Sequence, residues 1–144
     1  MRPGLTLIEV MAVVTLLAIA AAMATAGLSG AHEAVQLQEA ASVFRNADAQ
    51  ARFLASTGDQ VILRIGEESN TVELWPVGIG RVRAFTLGSH VSARLLDRAG
   101  DARIDVVHID RRGQSTDYRV SLRVGERAGT LRVSGLTGWV EQAP

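Results

Sequence analysis

The sequence of 144 residues has no cysteine, no lysine, only three prolines and no excess of either charge, with fifteen basic residues against fifteen Asp and Glu. Without cysteine there is no disulfide framework, thiolate nucleophile or cysteine-based metal site. That is compatible with an exported domain but does not imply one. A formal net charge of zero gives no overall electrostatic pull toward nucleic acid. Arginine serves as the sole base, which reads as coding bias before function. No proline stands between Gly4 and Trp75, so a kink in the first third would have to use Gly27 or Gly30. At 47% hydrophobic residues the chain is no disordered tail.

Patterns of catalysis are also missing. His32, His90 and His108 are scattered, with no HExxH spacing. His108, Asp110 and Ser115 lie close in sequence, but triads are made by geometry, and His108 is expected in a strand, half-buried and hydrogen bonded. Asp97, Asp101 and Asp105 lack the alternate-residue spacing of a compact calcium loop and read as solvated turn acids. Gly78-Ile79-Gly80 is not followed by a lysine or a helix start, so no phosphate loop is expected. The sequence therefore predicts no enzyme, no cofactor and no metal site. A membrane-tethered β-domain enzyme has no residues to recommend it.

What is present is concentrated at the start. Met1-Arg2-Pro3-Gly4 precedes Leu5-Thr6-Leu7-Ile8-Glu9-Val10 and an almost unbroken apolar run over residues 11–26. About 20 apolar residues suffice to span a bilayer. The ten Leu, Ile and Val between Leu5 and Leu28 each favour insertion by roughly 0.3–0.6 kcal/mol, against a few kcal/mol for one carboxylate near the helix end. Insertion wins, and Glu9 becomes a functional residue by default. A secretory signal with Ala24-Thr25-Ala26 as its cleavage site fits less well, because its apolar core would be shorter and would have no use for a glutamate. A plain single-pass anchor explains the length but neither Gly4 nor Glu9.

Beyond Gly30, Leu37, Ala40, Phe44, Ala47, Ala51 and Leu54 recur at helical spacing. Glu33, Gln36, Glu39, Arg45, Asn46, Asp48 and Gln50 take mostly the other faces. Thr57-Gly58 supplies the stop, with Gly58 expected in the left-handed conformation. One helix over residues 5–57 would be roughly 80 Å long. Its first half suits lipid or neighbouring helices, and its second half needs a sheet to lie on. Strands are expected at 61–65, 71–75, 81–87, 91–96, 103–109, 117–124, 129–134 and 138–141, separated by Gly-, Pro- and Asp-rich turns. The alternation of Tyr118, Val120, Leu122 and Val124 against Arg119, Ser121 and Arg123 marks one buried and one wet face. The fold class is α+β, a long N-terminal helix, transmembrane in its first half and amphipathic in its second, packed on an antiparallel β-sandwich-like head.

Gly4 followed by Leu5-Thr6-Leu7-Ile8-Glu9 resembles the processing site of type IV pilins and type II secretion pseudopilins. In that family a dedicated peptidase cuts after the glycine and methylates the new N-terminus. The resemblance implies cleavage between Gly4 and Leu5, N-methylation of Leu5, and Glu9 as the family's glutamate near the mature N-terminus. Most members carry Phe where this chain has Leu5. After the cut the Leu5 amine and Glu9 lie four residues apart on one helix face. Ile109-Asp110-Arg111-Arg112-Gly113, Leu131-Arg132-Val133-Ser134 and Thr137-Gly138 resemble the H-type minor pseudopilins and the FimT-type minor pilins. The major G-type, with its acidic calcium loop near the C-terminus, fits poorly, because only Glu126 and Glu141 are acidic after Gly125.

The resulting organisation is a leader over residues 1–4, a transmembrane or filament-core helix over 5–28, its amphipathic continuation over 29–58 and a β-rich head over 59–144. The function implied is that of a minor pseudopilin, a structural subunit of a type II secretion pseudopilus. The alternative is a FimT-like type IV minor pilin serving pilus assembly, DNA uptake or adhesion. Expected partners are other pseudopilins or pilins in a filament, the prepilin peptidase and the bacterial inner membrane, with the head in the periplasm. Arg111, Arg112, Arg119, Arg123, Arg127 and Arg132 crowd the last third, but nearby Asp101, Asp105, Asp110, Asp117 and Glu126 balance them, so nucleic acid is not an expected partner.

Overall fold

A computed structural model of the chain describes residues 7–78 and 82–143, and of residues 24–29 the backbone alone. The first element, α1, is a helix over Leu7–Thr57 that continues through Gly27 and Gly30. Eight strands follow: β1 Val61–Ile65, β2 Thr71–Pro76, β3 Arg83–Thr86, β4 Val91–Leu96, β5 Val106–Ile109, β6 Tyr118–Val124, β7 Arg127–Val133 and β8 Val140–Ala143. Each corresponds to a strand expected from the sequence, with ends moved by a few residues. By internal contacts the chain divides into two units, residues 1–33 and residues 34–144.

The second unit holds two antiparallel four-stranded sheets, ordered β3-β2-β1-β5 and β4-β6-β7-β8. The chain changes sheet after β3, returns for β5 and changes again before β6. The tip of the β1–β2 hairpin stitches the sheets together, the Ala93 amide donating to the Ser69 carbonyl at 2.6 Å. Period-two alternation aims Val61, Leu63, Val72, Leu74, Val107 and Ile109 of one sheet inward. Val91, Ala93, Leu95, Val120, Leu122, Leu131 and Val133 do the same from the other, and all share one core cluster with the helix.

The helix reaches that core through small residues. Ala40, Ala47, Ala51 and Ala55 are fully buried, and their lack of bulk lets the backbone approach the sheets. Among the described residues Phe44 is the one large side chain the helix buries completely, meeting the ring of Tyr118 edge-on at 6.4 Å. Leu37 and Leu54, at the ends of the stripe, are partly buried.

Three expectations need correcting. Asp48 was assigned to an outward face, yet it is 1% exposed, because it has two hydrogen-bonding partners inside. The helix does end at Thr57, but Gly58 has no positive φ. Instead the Ser56 and Thr57 hydroxyls donate to the Phe53 carbonyl at 2.9 and 3.0 Å, so side chains bond the last turn without a left-handed residue. His108 is exposed on β5 rather than half-buried, since Val107 and Ile109 take the inward positions.

Replacing Phe44 with Ala should destabilise a fragment beginning near Ala31 by about 3–5 kcal/mol, the range for losing a fully buried aromatic ring. Urea denaturation followed by circular dichroism measures it. An unchanged midpoint would contradict the packing of the helix on the sheets.

Candidate assembly site

The first unit offers a surface that water does not suit. Leu7 is 80% exposed, Ile8 79%, Leu16 67% and Leu17 64%, and Val10, Met11, Val13, Val14, Ile19 and Met23 are exposed too. These side chains surround the helix rather than forming one stripe, and a helix apolar all round belongs in lipid or among other helices. Among the described residues no helix is long and apolar enough to cross a membrane. The ends of the 5–28 run lie outside the described side chains, so the transmembrane reading stands as an expectation. Glu9 is exposed in the first turn of α1. There the unpaired backbone N–H groups and the helix dipole favour a carboxylate. Gly4 and Leu5 lie outside the described residues.

In the second unit a buried ionic network fixes the helix to two loops. Arg52 donates from Nε to Asp48 Oδ2 at 2.8 Å, one turn away. Asp48 Oδ1 accepts from the Tyr118 hydroxyl at 2.7 Å. The remaining guanidinium donors reach backbone carbonyls, Gly113 at 2.7 Å and Gly135 at 2.9 Å, and more loosely Ser134. A planar fork of donors can serve a carboxylate and several carbonyls at once, which an ammonium cannot do in the same geometry. The loop fits closely around it. A Cβ on Gly135 would fall 2.1 Å from the Ser115 carbonyl oxygen, and one on Gly138, where φ is +70°, would fall 2.7 Å from Arg52 Nε. Burial, and then the Asp48 charge, push the Tyr118 hydroxyl well above the ordinary tyrosine range.

The outer face of the β4-β6-β7-β8 sheet carries the arginines. Arg119 and Arg123 share it, as the alternation predicted, and Arg132 joins them opposite Arg119. Arg94, opposite Ser121, belongs to the same face and was missed, because β4 lies far from the C-terminal third in sequence. Arg111 and Arg112 lie in the β5–β6 turn instead, Arg111 pairing with Asp59. On the other sheet Arg64 donates to Glu73 at 2.7 Å and stacks on Trp75 at 4.5 Å, and its hydrogen bond holds the Glu73 carboxyl below the usual range.

The residues considered for catalysis are occupied elsewhere. Asp110 Oδ1 accepts from the Arg112 and Gln114 amides, and Ser115 Oγ donates to the Thr116 carbonyl, so His108, Asp110 and Ser115 form no relay. Asp97 Oδ1 caps its turn by accepting from the Gly100 and Asp101 amides at 2.7 and 2.9 Å. Such backbone bonds, led by that of Ala102, lower its pKa.

Known proteins agree with this picture. The description "prokaryotic N-terminal methylation motif" fits residues 2–25. No curated protein matches the chain. Among solved structures, the type IV minor pilin FimU of Pseudomonas aeruginosa matches 78% of this chain and 91% of its own, at TM-score 0.56 and 14% identity. The minor pseudopilin EpsH of the Vibrio cholerae type 2 secretion system matches 75% of this chain and 96% of its own, at TM-score 0.56 and 10% identity. A second EpsH structure gives TM-score 0.55 at 12% identity, over 76% of this chain and 94% of its own. The start of the chain thus carries the N-terminal methylation motif, and its fold resembles that of a type IV minor pilin and of a minor pseudopilin.

Two outcomes test the buried network. Chain composition helps, because Tyr118 is the only tyrosine. Its folded-state pKa is raised, so its contribution to stability is complete below the unfolded value of about 10 and is lost as pH climbs toward the folded one. Urea midpoints should fall above about pH 10, and Tyr118→Phe should flatten that alkaline fall while lowering stability at pH 7 by about 1–3 kcal/mol through the stranded Asp48. Arg52→Met should cost roughly 3–5 kcal/mol, since it leaves Asp48 charged and buried. A midpoint unchanged by Arg52→Met would show that the network is not coupled to folding.

Proposed function

We propose that this protein is a minor pseudopilin, a structural subunit of a type II secretion pseudopilus that helps export folded proteins. It works by assembly rather than turnover. The observation that carries the reading is the apolar surface surrounding the first helical turns, with one carboxylate in the first of them, inside the methylation motif. On this reading the prepilin peptidase removes residues 1–4 and methylates Leu5. The helix first holds the precursor in the inner membrane as a single pass, with the head in the periplasm, and then packs against other subunits in the filament core.

Glu9 supplies the register. A carboxylate transferred from water into lipid or a helix bundle is costly unless paired. The Leu5 amine, created by cleavage four residues earlier, can neutralise it within the chain, and a neighbour's amine can do so between chains. An incoming subunit is then most stable at the depth where Glu9 meets that amine.

A second reading, a type IV minor pilin, is supported by the likeness to FimU, as great as that to EpsH. The DNA-uptake form of it draws on Arg94, Arg119, Arg123 and Arg132 sharing one sheet face.

The intact mass of the purified mature protein should equal that of residues 5–144 plus one methyl group. A mature terminus at Gly27 would instead establish a secretory signal. Glu9→Leu should leave cleavage and the head fold intact yet reduce crosslinking to other subunits. Full incorporation of Glu9→Leu would remove charge pairing as the register mechanism.

A further inference from the structure

We draw no further inference here: the strongest candidate, the outer face of the β4-β6-β7-β8 sheet where Arg94 and Arg123 stand opposite Ser121 and Ser92, belongs to the second reading already described, and nothing in the structure shows what covers it.

Discussion

Arg52 sits where the second unit is held together. Its guanidinium joins helix, β6 and two loops through Asp48, Tyr118 and the carbonyls of Gly113 and Gly135. A cation this far from water is tolerable only because nearly every donor has an acceptor and because a carboxylate lies one turn away. The rest follows from that demand. Tyr118 must donate to Asp48, so β6 is fixed beneath the helix, where its ring can also meet Phe44. The loop before β8 must turn its carbonyls toward the guanidinium, so it needs Gly135 and Gly138, where side chains would collide. Apolar packing alone leaves an alanine-rich helix free to slide along a sheet. The ionic network admits one register.

Helix α1 is one element built for two surroundings. From Leu7 to Met23 its exposed side chains are almost wholly apolar, with Glu9 as the one carboxylate. Beyond Ala34 its buried face is mostly alanine, and polar residues take most of the remainder. The first composition gains from leaving water in any direction, the second only from one sheet-covered side. On the proposed function, this division separates assembly from folding. The head acquires its stability from its own core, and the apolar turns remain available to neighbours.

Overall neutrality conceals segregation. The chain carries equal numbers of acids and bases, yet the outer face of one sheet gathers Arg94, Arg119, Arg123 and Arg132, while acids such as Asp110 are spent on capping turns. A carboxylate that accepts backbone amides is less available as a counter-ion for a strand across the sheet. Charge counted along the chain therefore understates the local field on that face.

Much of this was legible in the residues themselves. The period of the helical stripe located the buried face of α1, since spacing along a helix fixes direction around it. The alternation in β6 separated Tyr118 and Leu122 from Arg119 and Arg123 for the same kind of reason. Glu9 stood out because a charge interrupts a run that otherwise suits lipid. Asp48 was misplaced, although its spacing of four from Phe44 and from Arg52 put it beside the stripe. Polar character argued for water, and only the Tyr118 hydroxyl, seventy residues away, together with an Arg52 held in place by distant loop carbonyls, made its burial tolerable. Arg94 joined the other arginines through strand order, which pairs β4 with β6 and skips β5. Local pattern thus determined which face of each element is apolar, because that depends on backbone periodicity alone. Which polar groups meet inside, and which charges share a surface, depended on contacts between distant segments and was decided only when the sheets closed on the helix.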